Sequence, residues 1–183
     1  MTLPLAQAYI EQAKADYRTY EIIRQAPGQP SSQWLHLLQM TLEKTAKAYL
    51  AAANTDFDKL RESHRVFRRF VQMLPRNETV LTALGMSAAT LREHIRNLAT
   101  LIDAIEQLVP GRGNEGPTAE YPWRNPRGGF HSPCTYGFVD LVSAINDTAR
   151  GRNLLRILER GLYEESWHAA FGIKDNRDSR FIN

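Results

Sequence analysis

Cysteine is almost absent from this 183-residue sequence, in which Cys134 is the only one. A single thiol excludes an intramolecular disulfide and a metal site built from several cysteines, and it suits a reducing compartment. No apolar run approaches the roughly 18 to 20 residues of a membrane-spanning helix. The first residues also lack the basic and apolar regions of a secretory signal. We therefore expect a soluble, cytoplasmic protein without membrane contact, in which Cys134 is buried or inert.

The common motifs for bound phosphate and metal are missing as well. No G-x-x-x-x-G-K-[ST] or G-x-G-x-x-G motif is present, so the usual glycine-rich cradles for nucleotide phosphates are excluded. There is no H-E-x-x-H or H-x-x-x-H pair and no carboxylate-rich loop that suggests a metal. We predict neither a cofactor nor a metal. His36, His64, His94 and His168 are interpreted as packed or surface residues.

Lysine is scarce: only five of the 23 basic residues are lysines, and the formal net charge is +3. The planar guanidinium group of arginine suits phosphate and carboxylate better than an ammonium group does. Two explanations stay open for the excess of arginine. One is the base composition of the gene, and the other is recognition of a nucleic acid, for which the charge excess is small.

Apolar residues recur at three- and four-residue spacing along most of the chain, which predicts amphipathic helices. The predicted ranges are Leu5–Arg24, Trp34–Leu50, Phe57–Leu74, Glu78–Gly85, Ser87–Leu108, Tyr136–Ile145 and Ala149–Phe171, with a break at Asp147-Thr148 or at Gly151. No alternating run is bounded by turns, so we predict no β-sheet. The predicted fold class is all-α: one domain, 1–183, formed by a helical bundle with a tail at 174–183 that frays.

The apolar faces of these helices also predict the core. Twelve residues on the faces are expected to be mostly buried, and replacing one by alanine is expected to cost about 2 to 5 kcal/mol. They are Trp34, Leu38, Leu42, Tyr49, Phe67, Phe70, Leu98, Leu101, Ile105, Leu141, Leu155 and Leu158.

One long segment interrupts the helical pattern, at 110–135. Between Pro110 and Pro133 it contains five prolines and five glycines, and irregular loops of this length are uncommon in compact domains unless they are functional or disordered. Three rings, Tyr121, Trp123 and Phe130, are expected to dock the loop onto the helices. Docking would bring Arg124, Arg127 and His131 to one surface as an anion-binding patch. The alternative is a simple surface crossover between two halves of the bundle.

The second predicted helix resembles helix two of HEPN-type domains. That helix typically carries a run of the form A-x-Q-x-A-x-E-K-x-x-K-A, and the matching residues here are Gln39, Glu43, Lys44, Lys47 and Ala48. The segments 63–67 (SHRVF) and 119–122 (AEYP) are similar to later elements of the family. The resemblance implies an up-and-down bundle of four to six helices, often a homodimer. It also implies a setting in toxin–antitoxin, phage-defence or RNA-processing systems.

Catalytic members of that family share an arginine, a following polar residue and a histidine, and they cleave RNA without metal. Arg124, Asn125 and His131 resemble this set, with histidine as proton carrier and arginine offsetting charge on the phosphorane. The family places the motif at the start of a helix, whereas Pro126 and the glycines after it predict a loop here. Arg124, Asn125 and Arg127 are the predicted RNA- or phosphate-binding residues.

Three hypotheses on function follow. The first is a non-catalytic HEPN-like bundle that acts through protein or nucleic-acid partners. The second is a metal-independent endoribonuclease that uses Arg124 and His131. The third is a helical partner subunit of an enzyme encoded by a neighbouring gene. The predicted partners are accordingly RNA or a nucleotide, a neighbouring-gene protein, and a second copy of the chain.

Overall fold

The structure is a computed structural model that describes residues 4–109 and 116–173. The described residues are mostly helical, and four of their helices are 15 residues or longer. The α-helices are α1 (Leu5–Gln25), α2 (Ser31–Ala52), α3 (Phe57–Glu62), α4 (Phe67–Met73), α5 (Glu78–Leu84), α6 (Ala88–Glu106), α7 (Val139–Asn146), α8 (Ala149–Tyr163) and α9 (Glu165–Ala170). A 3₁₀ turn, Leu74–Arg76, separates α4 from α5. The all-α class is confirmed, while the predicted tail at 174–183 lies outside the described residues.

The prediction of no sheet is wrong in one detail. Two strands of two residues each, β1 (Trp123–Arg124) and β2 (Phe130–His131), pair antiparallel within the long loop. Four residues are too few to show an alternating pattern, so the sequence carries no strand signal here. No helix in the described ranges is long and apolar enough to cross a membrane.

Helix α2 lies at the centre of the fold. Fourteen of its 22 residues are buried. Five other helices contact it: α1, α3, α4, α6 and α8. A helix surrounded in this way has no wide solvent face, so its polar residues are enclosed together with its apolar ones.

The predicted helix Phe57–Leu74 is divided into α3 and α4, which corrects the sequence prediction. Helix α4 begins at Phe67, whose backbone N–H donates to the buried Glu106 carboxylate over 2.7 Å. Glu106 is the last residue of α6, so a distant carboxylate satisfies an amide that a helix start leaves free. Phe57, at the start of α3, and His64, between α3 and α4, both lie at the surface.

The later helices follow the sequence more closely. Ser87 caps α6 by accepting a hydrogen bond from the Thr90 N–H (3.1 Å), and α6 ends close to the predicted limit. Thr148 caps α8 by accepting from the Gly151 N–H (3.0 Å), which confirms the predicted break at Asp147-Thr148. A Cβ on Gly151 would lie 2.0 Å from the Ile145 carbonyl oxygen, so this close helix junction requires glycine.

Two helix limits differ from prediction in this part of the chain. Helix α7 begins at Val139 and not at Tyr136, because Phe138 takes a left-handed φ of 48°. The predicted helix Ala149–Phe171 is divided at Glu164, whose extended backbone separates α8 from α9.

Ten of the twelve predicted core residues are buried. Leu141 and Leu155 are half-buried at the edge of the same apolar core. The core extends over α1, α2, α4, α6 and α8 and also includes Trp123 and Phe138, which belong to the loop side of the molecule.

Candidate functional site

The described part of the long loop, from residue 116 on, is ordered by short-range hydrogen bonds. The Ala119 N–H donates to the Leu108 carbonyl over 3.1 Å, which ties the loop to the end of α6. The Thr118 hydroxyl accepts from the Tyr121 N–H (3.0 Å) and donates to the Tyr121 carbonyl (2.8 Å). Residues 110–115 of the predicted loop lie outside the described ranges.

Strands β1 and β2 are joined by a tight turn from Asn125 to Gly129. The Asn125 N–H donates to the Gly129 carbonyl (3.1 Å), and the Asn125 carbonyl accepts from the Gly128 N–H (2.9 Å). The Asn125 side-chain oxygen accepts from the Arg127 N–H over 2.9 Å. Gly128 and Gly129 have φ of 95° and 78°, which side chains rarely permit. Asn125, a predicted phosphate ligand, is therefore used by the turn itself.

An aromatic cluster holds this hairpin against the protein. It consists of Trp123, His131, Tyr136 and Phe138. The His131 ring lies 5.4 Å from Trp123 and 5.7 Å from Tyr136 between centroids. Tyr136 meets the rings of Trp123 (5.0 Å) and Phe138 (4.8 Å) edge to face, a favourable geometry. Phe138 is buried despite its left-handed backbone, which such a bulky residue seldom adopts.

Only one of the three rings predicted to dock the loop does so. Trp123 is 4% exposed, whereas Tyr121 is 54% exposed and Phe130 is 69% exposed. The docking prediction is therefore wrong for Tyr121 and Phe130. For Phe130 the reason is the pleat of the ladder: neighbouring residues on a strand face opposite sides, so the packing of His131 against Trp123 on one face turns Phe130 to the other.

The register of the ladder separates the two predicted catalytic residues. Trp123 is opposite His131, and Arg124 is opposite Phe130. Directly opposed residues share a face of an antiparallel pair, so Arg124 projects with Phe130 and away from His131. The His131 ring packs in the aromatic cluster, while Arg124 and Arg127 are exposed.

Four exposed residues form what we call the hairpin surface: Tyr121, Arg124, Arg127 and Phe130. Residues 121–139 contain no aspartate or glutamate, so no carboxylate within that stretch offsets its arginines. Four of the seven large hydrophobic side chains that are exposed in the described residues lie in the same stretch. Exposed rings beside unbalanced arginines are the combination that stacks bases and contacts phosphates.

A group of hydrogen-bonded polar side chains is centred on Glu43, inside the protein on α2. The Glu43 carboxylate accepts from Lys47 Nζ (2.7 Å) and from Gln39 Nε2 (3.1 Å). His64 Nδ1 lies 3.3 Å from the same carboxylate. Burial raises the pKa of Tyr9, and the Glu43 charge raises it further. We call Gln39, Glu43, Lys47 and His64 the buried polar cluster, although the His64 ring itself is exposed.

Sequence reasoning missed this cluster because Glu43 and Lys47 match an ordinary surface pair at i,i+4. Both side chains are only 6% exposed. The sequence did contain a signal that α2 is buried. Its apolar residues lie on several sides of the helix, as is typical of a helix buried all round.

The remaining candidate residues show no assembled chemistry. His168 is buried, with Nε2 3.0 Å from the Gly161 carbonyl oxygen, and His36 and His94 are half-buried. Cys134 is exposed, so of the two alternatives expected for it, a buried or an inert thiol, the buried one is wrong. No group of three or more metal-ligating side chains occurs within residues 4–109 and 116–173.

Comparison with known proteins identifies no relative: no family model, no curated protein and no solved structure matches the chain.

Proposed function

We propose that this protein is a HEPN-like helical bundle that binds single-stranded RNA through the hairpin surface and does not cleave it. The observation that carries the proposal is the pairing of Arg124 with the exposed ring of Phe130 on one face of an anchored hairpin. A ring of this kind can stack on a base of any sequence, and an adjacent guanidinium can contact the neighbouring phosphate.

Rigid anchoring supports the same proposal. Trp123 and the turn at Asn125 hold the hairpin in place, so binding requires little ordering of the protein. Single-stranded RNA fits better than a duplex, because its unstacked bases are accessible to exposed rings. In this proposal the four long helices supply the up-and-down scaffold.

The absence of cleavage is proposed because Arg124 and His131 face opposite sides of the ladder. A metal-independent RNase needs a histidine within reach of the 2′-hydroxyl and an arginine on the same phosphate. Here the half-buried His131 ring packs against Trp123 and Tyr136, on the face of the ladder opposite to Arg124.

The HEPN resemblance enters the proposal through helix α2. The residues that match the family's helix-two run include Gln39, Glu43 and Lys47, which form one hydrogen-bonded group in the centre of the fold. Buried polar residues that satisfy one another's hydrogen bonds favour one packing arrangement of the core. A sequence pattern that encodes such residues can therefore be typical of one fold. The proposed biological setting is a prokaryotic defence, toxin–antitoxin or RNA-processing system.

Fluorescence anisotropy with a labelled single-stranded 12-mer RNA tests the binding. Replacing Phe130 by serine is expected to weaken the affinity about tenfold, from the loss of one stacked base. The matched control is Phe57→Ser, which removes an exposed phenylalanine from α3. Arg124→Gln is expected to reduce the dependence of binding on salt, and Arg152→Gln on α8 is its control. Wild type that does not bind RNA, or equal losses in both serine variants, would show that the proposal is wrong.

The same RNA tests the alternative hypothesis, that the protein is a metal-independent endoribonuclease. Wild type and His131→Ala are incubated with it in the presence of EDTA, and the products are resolved on a gel. We expect intact RNA with both proteins. Cleavage with turnover by wild type that His131→Ala abolishes would establish the RNase hypothesis instead.

A further inference from the structure

A cleft of about 600 Å³ lies between the N-terminal half of α6 and the end of α4 with its 3₁₀ turn. It is far along the chain from the hairpin surface and shares no residue with it. Its lining residues are Gln72, Pro75, Arg76, Ala89, Arg92, Ile95 and Arg96. We call it the arginine cleft.

Helix α6 and the 3₁₀ turn together contribute three arginine side chains to the lining of this cleft. Arg92 and Arg96 are four residues apart on α6 and therefore lie on the same side of the helix. Arg76 comes from the 3₁₀ turn, which packs against α6. The buried residues Pro75 and Ile95 supply apolar walls between the charges.

The charges in the cleft are only partly balanced. Arg96 forms an ion pair with Glu93. Within the described ranges, Arg76 and Arg92 have no carboxylate in ion-pair contact, so two positive charges are uncompensated. Elsewhere α4 and α6 are joined by a balanced pair, since Arg68 Nη1 lies 2.7 Å from the Asp103 carboxylate. Like charges held together repel, and an anion between them relieves that cost.

We propose that the arginine cleft binds the terminal phosphate of a nucleotide, as a second site separate from the hairpin surface. A terminal phosphate carries close to two negative charges, which matches the imbalance. Guanidinium forks bind phosphate oxygens in pairs, and the apolar walls offer contact to the sugar and base. The volume lies within the range of small-ligand pockets. A free mononucleotide and the 5′-phosphate end of an RNA present this same chemistry.

Isothermal titration calorimetry with adenosine 5′-monophosphate and with adenosine tests the proposal. The monophosphate is expected to bind and adenosine, which lacks the phosphate, to bind at least tenfold more weakly. The double variant Arg76→Gln/Arg92→Gln is expected to weaken monophosphate binding about a hundredfold, because each charged hydrogen-bond donor contributes about tenfold. Arg150→Gln/Arg152→Gln removes the same charge from exposed positions on α8 and is expected to bind as wild type does.

Ala89→Glu provides a second variant, in which an exposed position on α6 places a carboxylate at the cleft without removing an arginine. It is expected to abolish monophosphate binding. The proposal fails if adenosine binds as tightly as its monophosphate. It also fails if the cleft variants bind the monophosphate as tightly as wild type does. Equal losses of monophosphate affinity in the α8 variant and the cleft variants would contradict it as well.

Two further titrations distinguish the sources of the phosphate. In the Phe130→Ser background, one RNA 8-mer is compared with a 5′-phosphate and with a 5′-hydroxyl end. Preference for the phosphorylated end supports an RNA terminus as ligand, and binding of the monophosphate alone supports a free nucleotide. Because Phe130→Ser weakens RNA binding through the hairpin surface but changes no residue of the cleft, binding of the monophosphate tests this proposal even if the RNA does not bind.

Discussion

In the buried polar cluster a charged pair, Glu43 and Lys47, lies inside the protein, whereas on the hairpin surface the phenyl ring of Phe130 lies outside it. Both placements oppose the usual preference of these residue types. Glu43 remains inside because its partners satisfy the carboxylate. Phe130 remains outside because the ladder gives the inner face to its neighbour, His131. Position in the tertiary structure, and not residue type, therefore decides which of these side chains is buried and which is exposed.

The largest effect is expected when the buried pair is broken. Glu43→Ala leaves the Lys47 ammonium enclosed without its partner, so the free energy of unfolding should fall by about 3 to 5 kcal/mol. Urea denaturation measures this change. Glu11→Ala is the control, because the Glu11 carboxylate lies 3.7 Å from Lys14 Nζ but its side chain is 46% exposed. This substitution should cost no more than about 1 kcal/mol. If the two variants lost similar free energies of unfolding, burial of the Glu43–Lys47 pair would not be what makes it important for stability.

Replacing the hairpin anchor should have the next largest effect. Trp123→Ala removes a buried ring from the aromatic cluster and should cost about 3 kcal/mol. Tyr121→Ala, two residues earlier and exposed, should change stability by less than about 0.5 kcal/mol. Thermal melts of the two variants, with hydrogen exchange of the Asn125 amide as a local probe, compare them directly. An Asn125 amide that stays protected in Trp123→Ala would mean that the hairpin needs no anchor.

A second buried carboxylate, Glu106, sharpens the comparison because its hydrogen-bond partners are backbone amides and not a cation. Glu106→Ala leaves the N–H groups of Phe67 and Arg68 without their acceptor at the start of α4. The loss of this cap should cost about 1 to 2 kcal/mol, measured by urea denaturation. Glu62→Ala, an exposed carboxylate at the end of α3, is the control and should be close to neutral.

The pH dependence of Glu106 has a definite sign. Burial raises the pKa of this carboxyl above its ordinary value of 4.5, although the amide of Phe67 opposes the shift. The folded state therefore holds the proton more tightly than the unfolded state, and stability falls as pH rises from 4.5 through the raised pKa. Relative to Glu106→Gln, wild type should lose stability across that window and show no trend well below it. If stability rose with pH across that window, the hydrogen bonds from the backbone amides would lower the pKa of Glu106 by more than burial raises it.

The smallest effect on stability is expected at Phe130. Phe130→Ser should change the free energy of unfolding by less than about 0.5 kcal/mol, because the ring is already exposed. Differential scanning calorimetry measures the change. A clear loss of stability would mean that the Phe130 ring packs against the protein. The hairpin surface would then contribute to stability as the buried polar cluster does.

Local sequence determined much of the helical architecture. Ser87 and Thr148 begin helices where their hydroxyl groups can accept from backbone amides, and the apolar spacing of α6 predicts its buried residues correctly. Caps and helix faces depend on residues three or four positions apart. That information is contained in any short window of the chain, so most of the core was predictable.

Only the tertiary structure decided the placements of the buried pair, of the start of α4 and of the two residues once predicted to be catalytic. It enclosed Glu43 and Lys47, because α1, α4, α6 and α8 surround α2. It began α4 at Phe67, because Glu106 arrives from 39 residues away. It also separated Arg124 from His131, since the pairing register assigns strand neighbours to opposite faces. Each of these outcomes depends on which segments meet, and the three- and four-residue spacing of a helix contains no information about that.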